Sequence, residues 1–169
     1  MTANVAWNIA PTRKQNRSNS DKKRLSLLLQ TLDQETRRHS WRVYKICQRL
    51  GWLLNLGKQE RQDLAKAALV HDIGKSQIDQ NILTKANSLN ETERQQVFCH
   101  PIWGAQMWLE SGGYYRISEA IVSHHESFDG SGYPFGVSAG RIPLWGRIIT
   151  IADSLDAMVS RRAYKQPVS

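Results

Sequence analysis

The segment Ala68–Lys75 reads ALVHDIGK. Its first half is apolar enough to be buried, and its second half places an imidazole and a carboxylate, His71 and Asp72, where that burial ends. An ionised carboxylate among Ala, Leu, Val and Ile is costly unless it is paired or bound to a metal. A chain with this segment must build a polar site inside its core, or satisfy Asp72 as an ordinary carboxylate at a helix end. The surrounding patterning is helical. QERQDLAKAALVHDI runs as one helix after Gly57 and stops near Gly74. LSLLLQTLD and RVYKICQRLGWLL place apolar residues at helical spacing. NETERQQVFCH opens on an Asn90/Glu93 capping pair, Pro101 interrupts, and WGAQMWLESGG and YYRISEAIVSHHE resume the periodicity. PLWGRIITIADSLDAMVS closes the series, with RIITI the one stretch that also reads as a strand. The fold class is all-α, a helical bundle, and Trp41, Trp52, Trp103, Trp108 and Trp145 read as its core.

The chain has 169 residues, enough for one domain with its own core. Its net charge of +8 is concentrated at the start, where Arg13, Lys14, Arg17, Lys22, Lys23 and Arg24 face one acid, Asp21. Residues 1–24 therefore read as a basic flexible tail and residues 25–169 as the domain. Such a tail is either solvated or touches an acidic surface; no stable nucleic-acid or membrane partner is expected. No run is long enough to span a bilayer, and no signal-peptide core precedes the domain. Cys47 and Cys99 stand in no ligand-spaced pair and read as free thiols of a cytoplasmic protein.

The other chemistry-bearing residues are spread along the chain. Glu35 precedes His39 by one helical turn, as a metal-gripping pair or a helix-surface pair. His100 stands before Pro101, and Asp153 and Asp156 lie one turn apart in an apolar frame. His124 and His125 are adjacent, and neighbouring helical residues point roughly 100° apart, so the pair suits more than one ion. Imidazoles and carboxylates without thiolates favour iron, manganese or zinc and argue against structural zinc. The glycine-rich loop after Glu126 ends in Gly132-Tyr133-Pro134, which is a rigid turn or a functional loop beside the histidines.

In order, the chain carries Asp-x-Glu-Thr-x-x-His-Ser-x-Arg-Val at 33–43, HDIGK at 71–75 and HP-x-x-GA at 100–105. The His-His-Glu and Gly-Tyr-Pro block at 124–134 and IPL…IIxIADxxDAM at 142–158 follow. This series resembles the HD-GYP domain, a branch of the HD phosphohydrolase superfamily, from about Leu25 to Lys165. The resemblance implies hydrolysis of cyclic dimeric GMP to linear pGpG or GMP by a metal-activated hydroxide. It implies two or three divalent ions, iron or manganese before zinc. The ligands carried over are His39, His71, Asp72, His100, His124, His125 and Asp153, with Asp72 as the bridge and Glu35 as a further carboxylate for a third ion. Lys75 would contact the scissile phosphate. Tyr133, Arg162 and Lys165 match positions that contact substrate phosphates, and Asp33 contacts or orders the site.

Three positions depart from the pattern: Lys85-Ala86-Asn87 replaces Lys-Pro-Gly, Arg37 replaces Gly, and the closing motif reads Arg161-Arg162-Ala163-Tyr164-Lys165. Related domains continue with helices that cover the bundle, so an exposed apolar face and a homodimer or signalling partner are expected. Two other readings stand beside the enzyme: a non-catalytic signalling module, and a phosphohydrolase acting on another cyclic dinucleotide.

Overall fold

Small residues let helices approach closely, and the densest run of them lies in the helix that ends at His71. The computed structural model describes residues 17–163. Helices α1 (Arg17–Gln30), α2 (Gln34–Leu53) and α3 (Lys58–Val70) lead into a 3-10 turn at Ile73–Gln77 and a short α4 (Gln80–Leu83). Then follow α5 (Glu91–Phe98), α6 (His100–Glu110), α7 (Tyr115–Ser123), a 3-10 turn at Ala139–Arg141, and α8 (Leu144–Ala163). No strand occurs among the described residues, and RIITI lies within α8. The all-α expectation holds.

Helix α3 is central, packed against α1, α2, α7 and α8. Its second half, Leu64 to Val70 apart from Lys66, is buried. Leu64, Ala67, Ala68 and Val70 meet Val43 and Cys47 of α2, Ile117, Ala120 and Ile121 of α7, and Ile149 and Ala152 of α8 in one cluster. Burial of Cys47 pushes its thiol up to about 12, so it behaves as a small apolar residue.

Local signals set the helix ends. Asp33 caps α2, accepting from the backbone N–H groups of Glu35 and Thr36. Asn90 and Glu93 form the reciprocal capping box expected for α5. Pro101 does not break a helix; it sits in the first turn of α6, where a missing N–H costs nothing.

Two expectations are corrected. The boundary at residue 24 falls inside α1, which starts at Arg17. Asp21 is buried there because it pairs with Lys66 of α3 and with Arg24, whose Nε donates to the Ser111 carbonyl. Residues before Arg17 lie outside the described residues. Among the tryptophans, Trp108 and Trp145 are core, Trp103 is half-buried, and Trp41 and Trp52 are exposed on the outer side of α2. The opposite stripe of α2, through Ser40, Val43 and Cys47, takes the core positions instead. Among the described residues, Ile151, Leu155, Met158 and Val159 of α8 are exposed.

The first 3-10 turn rests on α6 through two glycines. A Cβ on Gly74 would lie 2.0 Å from the His100 carbonyl oxygen and 2.6 Å from the Gly104 nitrogen. Only a glycine lets the backbone after Asp72 reach the start of α6. Gly74→Ala is expected to lower the thermal midpoint by about 4–10 °C, the range for overpacking in a domain of this size. Differential scanning calorimetry checks this; an unchanged midpoint would mean that the two segments can separate freely.

Candidate metal centre

A helix leaves its last carbonyls without partners. Three of the predicted ligands use that vacancy. His71 follows α3, His124 follows α7, and His100 follows the last turn of α5. Each donates from Nδ1 to the carbonyl three residues earlier: His71 to Ala68 at 2.8 Å, His100 to Val97 at 2.6 Å and His124 to Ile121 at 2.6 Å. The bond fixes the tautomer, so each Nε2 presents a lone pair to the interior. His39 is held similarly, with Nδ1 2.8 Å from Asp156 Oδ2. Asp156 is itself fixed by Arg42 Nε at 2.7 Å.

These groups converge on Asp72. Its Oδ2 lies 3.3 Å from His71 Nε2 and 3.7 Å from His39 Nε2. Its Oδ1 lies 3.3 Å from His100 Nε2 and 3.8 Å from His124 Nε2. Asp153 Oδ1 lies 3.0 Å from His39 Nε2. Two sets therefore have donor atoms within 4.8 Å of one another: His39, His71 and Asp153, and Asp72, His100, His124 and His125. Asp72 offers one oxygen toward each.

The donor atoms fit cations rather than one another. His71 Nε2 and Asp72 Oδ1 are buried without a hydrogen-bond partner. His100 and His124 bring two Nε2 atoms to 3.4 Å although both Nδ1 atoms are already donating. Facing lone pairs at that distance repel unless a cation lies among them. Imidazole and carboxylate donors suit a divalent ion of the iron, manganese or zinc type.

The electrostatics favour the deprotonated forms of Asp72, His124 and His125 and the protonated form of His39. Burial raises the Asp72 pKa, but the Lys75 ammonium, 2.7 Å from Oδ2, and the His71 ring outweigh it and hold it well below the carboxylate range. Lys75 loses charge stability to burial and regains more from Asp72, so its pKa rises. Burial and the neighbouring imidazoles push His124 well below its ordinary value and His125 to about 3. His39 moves up, because Asp153, Asp72 and Asp156 overcome its desolvation.

The adjacent histidines do not diverge as a continuous helix would make them. Helix α7 ends at Ser123, and the rings of His124 and His125 lie 4.0 Å apart in the same donor set. The loop then folds back, with Tyr133 N–H donating to the His125 carbonyl. The Tyr133 ring stacks on His125 at 4.7 Å and 23°. Buried Glu126 pins this loop by accepting from the Phe135 and Val137 N–H groups. Burial and the Asp72 and Asp153 charges push the Tyr133 phenol up, so it stays a donor.

Other predicted residues sit apart. Glu35 lies outside both donor sets; it is exposed, 3.5 Å from Arg42 Nη2, at the rim of a cleft of about 340 Å³ that also borders His39, Lys75 and Asp153. Asp33 caps α2 with Oδ1 and accepts from the Thr36 hydroxyl with Oδ2, although its charge still reaches Lys75. Arg162 falls in the last turn of α8, but its side chain and the whole of Lys165 lie outside the described residues. The sequence reading assigned no role to Arg42 or Thr150. Arg42, one turn after His39, was findable by spacing. Thr150, whose hydroxyl lies 2.7 Å from the His124 carbonyl, gave no local signal.

Comparison with known proteins gives the family and the fold. The family model described as HD domain matches residues 19–169. A cyclic di-GMP phosphodiesterase of Thermotoga maritima is 37% identical over 145 residues, covering 85% of this chain and 39% of its own length. A 3'3'-cGAMP-specific phosphodiesterase of Vibrio cholerae is 34% identical, with 85% and 28% covered. The chain thus spans well under half of these relatives. A crystal structure of a cyclic GMP-AMP-specific phosphodiesterase of V. cholerae superposes with a TM-score of 0.62 at 21% identity, covering 84% of this chain and 41% of that one, which establishes the fold. No helix among the described residues is long and apolar enough to cross a membrane. With the HDIGK turn, the paired histidines and the Gly-Tyr-Pro loop all brought to one centre, the chain belongs to the HD domain family, on its HD-GYP branch.

Proposed function

We propose that this chain is the catalytic core of a phosphodiesterase that hydrolyses cyclic dimeric GMP to linear pGpG and GMP. The supporting observation is the buried Asp72 carboxylate, which offers its two oxygens to two separate donor sets. His39, His71, Asp153 and Asp72 Oδ2 would hold one ion, and Asp72 Oδ1, His100, His124 and His125 a second. The donor chemistry favours iron or manganese, with zinc accommodated. A third ion at Glu35 would have to displace Arg42. Bound divalent ions lower the pKa of water and offset charge on phosphoryl oxygens.

The chain's own residues supply the rest. In hydrolysis the water oxygen bonds to phosphorus, the bond to the 3′ oxygen breaks, and a proton passes to that leaving oxygen. Lys75 keeps its ammonium charge beside Asp72 and would offset charge on a phosphoryl oxygen. The Tyr133 phenol, which keeps its proton, would donate to another. Arg162 and Lys165 are proposed as further phosphate contacts on the resemblance alone. Cyclic GMP-AMP is the second reading, supported by relatives named for it at 34% and 36% identity. A non-catalytic module is disfavoured, because every ligand type is retained.

Anaerobically purified protein loaded with iron or manganese is expected to convert cyclic dimeric GMP to pGpG and GMP, resolved by chromatography. Binding without turnover would favour the module. Asp72→Ala is expected to remove bound metal and hydrolysis together, read by metal analysis and product formation; a fully active variant would refute the bridge. Asp156→Asn leaves every ligand in place but loosens the support of His39. It is expected to weaken metal affinity or activity about 10–100-fold, the usual effect of losing such a partner.

A further inference from the structure

The donor sets have two different flanks. Among the described residues, the cleft on the His39 side is lined by charged and small residues and the His39 ring, with no Phe, Tyr or Trp. On the His125 side the lining is aromatic. Tyr133 stacks on His125, and Phe98 stacks on Tyr133 with ring centroids 4.1 Å apart and planes 13° from parallel. Two nearly parallel partners this close must occupy opposite faces of the Tyr133 ring. Tyr133 therefore has no free face. The outermost ring is Phe98, which ends α5 two residues before His100 and is 40% exposed. A column of three rings thus runs from the second donor set to solvent, and its last member is packed on Tyr133.

Phe98 stands exposed at the open end of this column. Resting on the proposed phosphodiesterase reading, we infer that Phe98 is a nucleobase-stacking platform: the base next to the scissile phosphate packs on it while Lys75 and Tyr133 hold the phosphate. The phosphate must sit at the donor sets, and its base is one sugar away. Among the described residues the charged flank offers that base no Phe, Tyr or Trp, and the aromatic flank offers Phe98. Preorganisation by Tyr133 reduces the cost of ordering the platform. Every base has a π-face, so this contact adds affinity without choosing between guanine and adenine. Selectivity between cyclic dimeric GMP and cyclic GMP-AMP must then come from groups other than Phe98.

The test compares wild type, Phe98→Ala and Phe98→Trp, all metal-loaded. With cyclic dimeric GMP and with cyclic GMP-AMP, Phe98→Ala is expected to raise KM about five- to a hundredfold with kcat little changed, the range for one base stack. Phe98→Trp restores KM. With methyl p-nitrophenyl phosphate, which carries no nucleobase, Phe98→Ala behaves as wild type. A cyclic dinucleotide with one 2-aminopurine base gives a second readout: its fluorescence is quenched on binding to wild type, and less so with Phe98→Ala at equal occupancy. An unchanged KM and quench, or equal losses on both substrate types, overturns the inference and leaves Phe98 a mere buttress of Tyr133. Wild-type protein that binds and quenches the probe without hydrolysing any cyclic dinucleotide refutes the phosphodiesterase reading while the platform stands.

Discussion

An ionised carboxylate in a protein core is the constraint around which this molecule is arranged. Asp72 is almost fully buried, yet its pKa is held well below the usual range. Continuum reasoning makes such a group very costly in isolation. Here a lysine ammonium lies on one oxygen and imidazoles flank both. The turn that carries Asp72 can reach those partners only because Gly74 lets its backbone lie on α6. Close helix packing, the missing side chain and the buried charge are therefore one design seen at three scales.

The assembly is non-local. Its donors come from α2, the end of α3, the junction of α5 with α6, the end of α7, and α8. Asp72, in the turn after α3, has an oxygen near the donors of each set. The centre is thus a property of the folded bundle, and ligation and folding are thermodynamically linked. Lys66 with Asp21, and Thr150 with the His124 carbonyl, are cross-links of the same kind, each joining two helices through a polar group.

Much of this was legible in the residues. Helical periodicity located every long helix, and the Asn90–Glu93 box marked the start of α5 because capping is a local interaction. Asp72 and Asp153 drew attention as carboxylates in apolar frames, whereas His100 and His124 entered the ligand set through the resemblance to a known domain. What failed were inferences that needed tertiary knowledge. Trp41 and Trp52 read as core because large apolar residues usually are, but only packing decides which stripe of α2 faces inward. His124 and His125 read as diverging because a helix was assumed to continue through them, whereas α7 stops one residue earlier. Asp21 looked like part of a solvated tail because its partner, Lys66, is 45 residues away. Phe98 carried no signal, since its meaning comes from a ring 35 positions later in the chain.

The dual role of three histidines limits how this centre can change. Each imidazole terminates a backbone hydrogen-bond ladder with one nitrogen and aims a lone pair inward with the other. Ring orientation is thereby inherited from main-chain geometry rather than from side-chain packing. Neighbouring surfaces can drift in composition without detuning the donors. Conversely, no replacement that merely coordinates, such as a cysteine or a glutamate, would also close the ladder. Such a replacement would trade one deficit for another, which makes these positions difficult to reach by single evolutionary steps.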